Sequence, residues 1–591
     1  MGIAHGAIRS AVLLLSVAPV SALPPGPLPV TVESGVAVAM RDGVKLMADI
    51  YRPEGGGRYP VLLTRTPYDR HGDIAAGVAL ASHGYVVVAQ DVRGRYGSEG
   101  DFYPFRNEAA DGYDTVEWAA TLPNANGKVG MFGGSYVGAT QMLAASARPP
   151  HLTAIHPVVT ASEYYEGWTY QGGALMQWFT SSWATGLAQD TLERRATATA
   201  SPESWVEALP AGEYRLLDPP GVADLAPYYR DWLAHETADE YWRAVRVKDH
   251  YGDMAAKGLH QAGWHDIFSR GSIENYMGLR AGAATAEARE GQRLVVGPWG
   301  HTQTLAEGKV GDVTFGKAAL EDGDEVLLKW ADWSLKDERN EYATGAPVRL
   351  FIMGENAWRD EREFPLARAV STRYYLHAAN GANSLAGDGR LSPDRPRGEK
   401  PDRYEYDPAH PVPTLGGRLC CGARVPVAYH PGPADQRPNE SRPDVLVYST
   451  APLAKDLEVT GFVTAEVWAA TSASDTDFTA MLVDVDPSGY ARYLADGILR
   501  ARYRSSRERA EPVTPGSIEK YAIDLGATGN VFKAGHQLRL YVSSSNFPRF
   551  ARNLNTGEPV ATGTRTVKAQ QVVYHDAEHP SALILPVIPR P

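Results

Sequence analysis

The sequence predicts an α/β protein in which a mostly parallel sheet carries an inserted helical cap and precedes an all-β domain. Three observations predict this architecture. Up to residue 159, apolar runs alternate with helical stretches. Between residues 160 and 247 the strand signal fades, and helical patterns carry six of the 13 tryptophans. After residue 346, strand-like segments follow one another with few helices between them. Apolar strands that alternate with helices are typical of a parallel sheet covered on both faces.

The strands of the predicted parallel sheet are short, apolar and rich in valine, leucine and isoleucine. A periodic stretch between two of them, Asn107–Leu122, has the spacing of an amphipathic crossover helix. The strand segments are Tyr59–Thr64, Tyr85–Asp91, Lys128–Phe132, Leu152–Val159, Gly258–Trp264 and Gln292–Val296. We therefore expect a first sheet portion at 23–159, the helical cap at 160–247 and a second sheet portion at 248–345.

The segment 346–591 is predicted to be a β-sandwich or jelly roll, because turn residues separate its apolar segments. The predicted strands are Val348–Met353, Thr372–Leu376, Val445–Tyr448, Leu457–Trp468, Phe478–Val485, Gln537–Ser543 and Thr566–Tyr574. The stretch Gly381–Pro413, which is rich in proline, glycine and charge, is interpreted as an irregular connection.

The composition excludes several classes of partner. The chain has 591 residues, which predicts more than one domain, and a net charge of -12 without a basic tract, so no nucleic-acid partner is expected. The sequence has no EF-hand, P-loop or Cys/His zinc spacing, so no cofactor and no metal are expected. A homo-oligomer stays open.

Residues 1–22 have the pattern of a signal peptide: Arg9, the apolar run Ala11–Ala18 and the small residues Val20-Ser21-Ala22. The run is shorter than the ~20 residues of a membrane span, so we expect a secreted or periplasmic protein cleaved near Ala22. The two cysteines, Cys420 and Cys421, are adjacent. Neighbouring Cα atoms lie ~3.8 Å apart, below the usual disulfide range, so a vicinal disulfide and two inert thiols both stay open.

The segment Lys128–Gly138 ends an apolar strand with two glycines, places Ser135 next and then begins a helix-like stretch. This is the layout of a nucleophile elbow, in which small neighbours permit a sharp turn that exposes the serine hydroxyl. The segment departs from the usual Gly-x-Ser-x-Gly, because its last glycine comes one position late, at Gly138. A glycine-rich turn capped by a structural serine is the alternative.

A serine nucleophile needs a base and an orienting acid, and in α/β-hydrolases these follow the serine in the order Asp or Glu, then His. Asp266 comes directly after one predicted strand and His301 after the next. A helix N-cap aspartate and a surface histidine are the alternatives for each alone, but the shared order favours a triad. Asp253 and His265 are weaker candidates for the acid and the base.

Two groups are candidate oxyanion donors. The N–H of Tyr136 would lie at the start of the helix after the elbow. The hydroxyl of Tyr68, in the loop after the first buried strand, could supply the second donor, although a packed aromatic ring explains the same residue.

Taken together, these segments resemble the cocaine esterase and Xaa-Pro dipeptidyl-peptidase family of serine hydrolases, which also includes α-amino acid ester hydrolases and glutaryl acylases. The resemblance covers nearly the whole predicted mature chain. It rests on Thr66–Tyr68, Asp91–Gly100, Gly133–Gly138, Gly263–Asp266 and Gly297–His301. It implies Ser135 as nucleophile, His301 as base, Asp266 as acid, an oxyanion hole of Tyr68 and Tyr136, and an α/β-hydrolase core with a helical cap and a jelly roll.

The expected substrate is a small ester or amide, or a short peptide. Relatives that require a free α-amino group resemble one another in acidic residues just after the triad aspartate, whereas Ile267-Phe268-Ser269 stands here. We therefore favour an esterase or acylase for a bulky or aromatic acyl group. The candidate pocket residues are Trp168, Trp178, Trp264 and Phe268.

Three alternatives remain at this point. The first is a dipeptidyl-peptidase that releases Xaa-Pro dipeptides. The second, from another class, is a non-catalytic carbohydrate-binding protein. The third is a metalloenzyme, with His575 and His579 as its faint support.

Overall fold

A ten-stranded mixed sheet forms the first half of the computed structural model, which describes residues 26–195, 225–301, 308–421 and 430–590. The predicted signal peptide, 1–22, lies outside these residues. The strand order is β1-β2-β4-β3-β5-β6-β9-β10-β13-β14. The strands are β1 (Val30–Ala39), β2 (Lys45–Pro53), β3 (Tyr59–Thr66), β4 (Val86–Asp91), β5 (Ala125–Gly134), β6 (Leu152–Val158), β9 (Lys257–Gly263), β10 (Gln292–Gly297), β13 (Val348–Ile352) and β14 (Ala357–Glu361). Two small hairpins supply β7 (Tyr170–Gln171) with β8 (Ala174–Leu175), and β11 (Lys309–Val310) with β12 (Val313–Thr314).

The middle of this sheet is parallel, from β4 to β13, and antiparallel pairs close its two sides. Alternate side chains of β3 point to opposite faces, so that Val61 and Leu63 join one apolar cluster and Leu62 joins another. Both faces are therefore buried, which explains the uninterrupted apolar runs in the sequence. The predicted α/β class with a separate β-rich domain is confirmed.

Helices cover both faces of the sheet and also form the insertion between β6 and β9. Their bounds are α1 (Ile74–Ser82), α2 (Glu108–Ala120), α3 (Tyr136–Ser146), α4 (Gln177–Arg195), α5 (Pro227–Ala234), α6 (Glu240–Arg243), α7 (Ser269–Gly282), α8 (Ala286–Glu290), α9 (Gly323–Lys336) and α10 (Glu341–Thr344). Helices α4 to α6 lie in the predicted cap region. No helix in the described ranges is both long enough and apolar enough to cross a membrane.

The second half of the chain folds into an 11-stranded sheet system, and its apolar core is continuous with residues of the first sheet such as Ala262, Leu294 and Val348. Its strands are β15 (Val370–His377), β16 (Arg390–Ser392), β17 (Asp402–Tyr406), β18 (Leu446–Ser449), β19 (Leu457–Thr471), β20 (Asp477–Val485), β21 (Ala491–Arg500), β22 (Glu519–Phe532), β23 (Gln537–Ser543), β24 (Ala569–Tyr574) and β25 (Ala582–Ile588). The long strand β19 pairs with β22, β24 and β25.

Two sequence expectations need correction. The segment predicted as the first strand of the β domain, Val348–Met353, supplies β13 and pairs in parallel with β10 in the first sheet. A short apolar strand has the same pattern in either domain, so its partner could not be identified from the pattern. The predicted irregular connection Gly381–Pro413 contains β16 and β17.

The topology brings the carboxyl ends of β3, β5, β9 and β10 to one edge of the parallel sheet. The segments with Tyr68, Ser135, Asp266 and His301 directly follow these four strands. Any chemistry that these side chains share must therefore take place at this edge.

Candidate active site

Ser135 occupies the turn between β5 and α3 with φ 60° and ψ -124°, a region that residues other than glycine rarely adopt. The neighbouring glycines make the turn possible. Gly133 has φ +128°, and a Cβ there would lie 2.4 Å from Cγ1 of Val137. A Cβ on Gly138 would lie 2.8 Å from Cβ of Thr160. The late glycine of the motif is thus required by the packing of α3 against the segment after β6.

The side chains of Ser135, His301 and Asp266 form a continuous hydrogen-bonded series. His301 Nε2 lies 2.9 Å from Ser135 Oγ, and His301 Nδ1 lies 2.6 Å from Asp266 Oδ1. The second carboxylate oxygen of Asp266 accepts the backbone N–H of Phe268 at 3.0 Å. The His301 and Asp266 side chains are 1% and 0% exposed. An imidazole held in this way can take a proton from the serine hydroxyl while the carboxylate fixes its orientation.

Asp266 and His301 meet because the loops after β9 and β10 continue the pairing of their strands. The N–H of Trp264 donates to Gly297 O, and the N–H of His265 donates to Trp299 O, each at 2.9 Å. A Cβ on Gly263 would lie 2.2 Å from Trp299 O, so only glycine allows this approach. The acid and the base therefore lie on two loops that are hydrogen-bonded to each other.

Tyr68 lies beside Ser135 in the loop after β3, and its hydroxyl oxygen accepts the indole N–H of Trp183 at 2.9 Å. Burial raises the pKa of the Tyr68 hydroxyl to about 12, although the N–H of Trp183, the charge of Arg95 and the contact with Ser135 oppose this rise. The hydroxyl is thus a protonated donor at neutral pH. Because Trp183 uses one lone pair of the oxygen, it also restricts the directions in which the O–H can point.

Tyr136 is the first residue of α3, so its N–H belongs to the helix-terminal donors that have no partner within the helix. Its phenol is fixed by buried polar groups. The hydroxyl accepts the N–H of Phe105 at 2.9 Å and donates to Glu108 Oε1 at 3.0 Å. Glu108 pairs in turn with the buried guanidinium of Arg65 at 2.8 Å. This network anchors the residue after the nucleophile.

Aromatic rings surround this group. Phe268 lies edge-on to His301, with ring centroids 5.1 Å apart, and stacks on Trp168 at 4.4 Å. Trp183 stacks on Tyr136 at 5.7 Å. Two of the predicted pocket residues, Trp168 and Phe268, therefore lie at the site. Trp178, at the start of α4, donates its backbone N–H to Pro548 O in the β domain, and its role as a pocket wall stays a prediction.

Trp264 does not belong to this group, which corrects the sequence prediction. Its indole N–H donates to Phe351 O at 2.7 Å, and its ring packs where Gly529 leaves room. The side chain is fully buried in the apolar cluster that the first sheet and the β domain share. Its place in the Gly-Trp-His-Asp motif thus reflects packing between the two halves of the chain.

The weaker candidates also have other surroundings. Burial lowers the pKa of His265 well below its usual range, and the nearby Arg418 and Arg492 add to this effect. Asp253 pairs with Arg148 and His250 at the surface.

The two histidines that could have supported a metalloenzyme bind different carboxylates. His575 Nε2 lies 2.9 Å from Asp402, and His579 pairs with Asp576.

Three features of the site were not anticipated from the sequence. They are the Trp183–Tyr68 hydrogen bond, the Glu108–Tyr136 hydrogen bond, and the position of the Cys420–Cys421 disulfide, one of the two open alternatives, against His301. The partners in the first case are 115 positions apart, and no local pattern connects them. The polar face of α2 was the one available signal for Glu108.

Comparison with known proteins places this geometry in a family. Residues 42–303 match the family model described as X-Pro dipeptidyl-peptidase (S15 family), and residues 340–584 match that of its C-terminal non-catalytic domain. The chain is 38% identical over 586 residues to a cocaine esterase of Rhodococcus sp. (strain MB1 Bresler). The matched residues cover 95% of this chain and 99% of the relative.

Two solved structures are similar over almost their whole length. An aminopeptidase from a marine sediment Thaumarchaeota archaeon has a TM-score of 0.81 and 27% identity, covering 96% of this chain and 97% of its own. An α-amino acid ester hydrolase has a TM-score of 0.78 and 27% identity, covering 97% and 98%.

Proposed function

The chain belongs to the X-Pro dipeptidyl-peptidase (S15) family, and from this premise we propose that it is an esterase or acylase that forms its acyl-enzyme on Ser135. That it is a serine hydrolase acting on esters or peptides follows from the family itself. The observation that carries the assignment of Ser135 is the series Asp266–His301–Ser135, with contacts of 2.6 and 2.9 Å.

In the proposed first step, His301 Nε2 takes the proton of Ser135 as Oγ attacks the substrate carbonyl carbon. Asp266 keeps Nδ1 protonated and stabilises the imidazolium that forms. The imidazolium then gives its proton to the leaving alcohol or amine. A water molecule repeats the attack on the acyl-enzyme, with His301 again as the base, and the acid is released.

The developing oxyanion would be stabilised by the hydroxyl of Tyr68 and the N–H of Tyr136. The raised pKa of Tyr68, about 12, supports this role, because the donor keeps its proton at any ordinary working pH. The N–H of Tyr136 lies at the positive end of α3, which favours negative charge. Loss of one such donor typically costs ~10²–10³ in rate.

A bulky or aromatic acyl group is the substrate class that the surroundings of Ser135 favour. Phe268 and Trp168 present stacked rings next to His301, and aromatic surfaces bind aromatic groups in offset or edge-to-face arrangements. The relatives named cocaine esterase and α-amino acid ester hydrolase support an ester as the scissile bond.

A dipeptidyl-peptidase that releases Xaa-Pro dipeptides is the second candidate. The description of the matching family models and the aminopeptidase among the similar structures favour it. Recognition of a free N-terminus calls for a counter-charge, and relatives that require a free α-amino group resemble one another in acidic residues just after the triad aspartate. Ile267, Phe268 and Ser269 follow Asp266 and bear no carboxylate, which argues for the esterase.

A panel of p-nitrophenyl esters, β-lactam acyl amides and Xaa-Pro anilides tests the proposal. We expect the highest kcat/KM on an ester with an aromatic acyl group, and none above background in Ser135→Ala. A fluorophosphonate should add its mass to Ser135 in the wild type and in Ser146→Ala, a matched serine at the other end of α3. A higher kcat/KM on the Xaa-Pro anilide than on the esters would favour the peptidase. Fluorophosphonate labelling of Ser135→Ala would show that Ser135 is not the nucleophile.

We also propose that the chain is exported after cleavage near Ala22 and that its C-terminal domain has jelly-roll topology; a homo-oligomer stays open. The disulfide between Cys420 and Cys421 supports export, because disulfides persist in oxidising compartments. Mass spectrometry of the mature protein from culture medium or periplasm would reveal its first residue. An N-terminus at Met1 in protein recovered from the cytoplasm would contradict export.

A further inference from the structure

A disulfide between the adjacent residues Cys420 and Cys421 lies directly against the histidine of the triad. A ring nitrogen of His301 and the two sulfur atoms all lie within 4.8 Å of one another. Cys420 is 2% exposed and belongs to the same apolar cluster as Tyr136 and Phe268, and Cys421 is half-buried. The sulfur pair is therefore part of the wall of the active site, although it comes from the C-terminal half of the chain.

The backbone before the pair is fixed by Arg418. The guanidinium of Arg418 donates to three backbone carbonyls, those of Trp264, Leu525 and Ala527, at 3.2, 2.6 and 2.7 Å. One of these belongs to the residue two positions before Asp266. Cys421 itself adopts φ 71°, in the left-handed region that non-glycine residues rarely occupy. Backbone of this kind persists where the surrounding structure enforces it, often beside a functional site.

The three side chains are also a chemically recognisable ligand set once the disulfide is open. Two thiolates and an imidazole suit a thiophilic divalent cation such as Zn²⁺, which binds sulfur at ~2.3 Å and nitrogen at ~2.0–2.1 Å. Tetrahedral coordination at these bond lengths separates the ligand atoms by ~3.5–3.8 Å. The imidazole nitrogen already lies within 4.8 Å of both sulfur atoms, and the two sulfurs, which are bonded to each other here, move apart to this separation once the S–S bond is broken.

We propose that Cys420, Cys421 and His301 form an inhibitory binding site for a thiophilic divalent cation when the disulfide is reduced. A thiol reductant gives two electrons and two protons and becomes a disulfide, whereas a phosphine gives two electrons and becomes a phosphine oxide, with water supplying the oxygen and the two protons. In either case the S–S bond becomes two thiols. The cation then binds both sulfurs as thiolates, their two protons pass to solvent, and the imidazole donates a lone pair. The oxidised pair offers no thiolate and leaves His301 to the triad.

Inhibition follows from the contacts of the imidazole, and this part of the inference rests on the proposed function. Both ring nitrogens of His301 are in use, Nδ1 with Asp266 and Nε2 with Ser135. A cation on either nitrogen breaks the series, and the serine loses its base. General-base catalysis typically contributes ~10²–10⁴ in rate, so the cation-bound enzyme should be at least ~100-fold less active. Cation binding itself does not depend on the proposed reaction.

Zinc binding and activity are measured separately on the full chain. The protein is reduced with a water-soluble phosphine, desalted without air and titrated with Zn²⁺ against a chelating indicator, and p-nitrophenyl ester hydrolysis is followed in parallel. We expect one Zn²⁺ per reduced chain, loss of hydrolysis over the same titration, and recovery with a chelator. The unreduced protein should bind no Zn²⁺ at this site and keep its rate.

Two variants locate the ligands. The double substitution Cys420→Ser with Cys421→Ser should lose the stoichiometric site, and its rate, relative to its own zinc-free rate, should not respond to zinc. His301→Ala is compared through binding alone and should weaken zinc affinity by ~10-fold or more. Co²⁺ should give the reduced wild type a thiolate charge-transfer absorption that the cysteine double variant lacks, which reports ligation even if no substrate is hydrolysed.

Several results would overturn the inference. They are the absence of a stoichiometric site in the reduced protein, equal zinc inhibition of the cysteine double variant, and zinc bound by the cysteines while hydrolysis continues. If no variant hydrolyses any substrate, the proposed function fails, but the zinc titration and the Co²⁺ spectrum still decide whether the three-residue site exists.

Discussion

Replacing Tyr68 by phenylalanine tests the oxyanion hole, because this substitution removes one oxygen atom and keeps the packed ring. The structure predicts two separate effects. Loss of the donor should lower kcat/KM for an ester by ~10²–10³, or ~2.7–4 kcal/mol of transition-state stabilisation. The indole N–H of Trp183, which donates to this oxygen at 2.9 Å, is left without its acceptor, so the free energy of unfolding should fall by ~1–3 kcal/mol.

Trp183 turns this single substitution into a double-mutant cycle. If Trp183 acts by orienting the Tyr68 hydroxyl, Trp183→Phe removes one neutral hydrogen bond, worth ~0.5–1.5 kcal/mol, and should lower kcat/KM ~2–10-fold in the wild type. The same change in the Tyr68→Phe background should have almost no effect on rate, because the oriented hydroxyl is gone. Trp242→Phe is the matched control, since its indole N–H donates to His235 O in the cap, away from Ser135.

The assay is hydrolysis of a p-nitrophenyl ester, with active sites counted by fluorophosphonate labelling and stability measured by urea unfolding. A Tyr68→Phe rate within about twofold of the wild type would refute the donor assignment. An equal effect of Trp183→Phe in both backgrounds would show that the tryptophan does not act through Tyr68. If Trp242→Phe lowered the rate as strongly as Trp183→Phe, the effect would belong to the cap as a whole.

Four further outcomes are expected. Glu108→Ala should lower the free energy of unfolding by ~3–5 kcal/mol in urea titration, because it leaves the buried guanidinium of Arg65 unpaired; a loss below ~1 kcal/mol would show that the pair is replaced by other contacts. The free energy of unfolding of Ser135→Gly, measured by urea titration, should exceed that of the equally inactive Ser135→Ala by ~1–2 kcal/mol, because only glycine adopts φ 60° without steric cost. Equal urea midpoints would contradict strain at the elbow. Phe268→Ala should reduce kcat/KM for an aromatic acyl ester by ~2–10-fold more than for an acetyl ester, since an aromatic pair contributes ~0.5–1.5 kcal/mol; an equal loss on both would remove Phe268 from the acyl pocket. Because burial raises the pKa of Tyr68 to about 12, its hydroxyl loses its proton only near that pH. Below pH 12, kcat/KM of the wild type and of Tyr68→Phe should therefore change with rising pH in the same way. A fall in kcat/KM at alkaline pH in the wild type alone would mean that Tyr68 loses its proton at a lower pH.

Chain order and strand ends carried the prediction of the site. Ser135, Asp266 and His301 each follow an apolar strand, and parallel strands bring their carboxyl ends to one edge. The side chains could therefore be placed together from residue type and spacing alone. Trp264 was misassigned because residue type and position in the motif do not show to which side its ring points. Its indole N–H instead donates to Phe351 O, and its ring packs against the β domain at Gly529.

The remaining features depend on contacts between distant segments. Val348–Ile352 has the pattern of any buried strand, and only its pairing with β10 assigns it to the first sheet. The hydrogen bond from Trp183 to Tyr68 joins a cap helix to a loop of the sheet. The approach of Cys420 and Cys421 to His301 joins the β domain to the hydrolase core. Such contacts depend on how the domains dock, about which local periodicity holds no information.

The paired loops after β9 and β10 have a consequence for how the site can move. The amides of Trp264 and His265 hydrogen-bond one loop to the other beyond the end of the sheet, whereas Ser135 follows β5, and β6 lies between β5 and β9. Acid and base are thus paired directly, whereas the nucleophile is joined to them only through β6: the N–H of Ser135 donates to Val158 O, and the N–H of Val159 donates to Gln261 O. A small shear between the two halves of the sheet would change the spacing of hydroxyl and imidazole while the imidazole–carboxylate contact stayed the same. Slow opening, thermal loosening or a distant substitution should therefore change the distance between Ser135 and His301 before it changes the distance between His301 and Asp266.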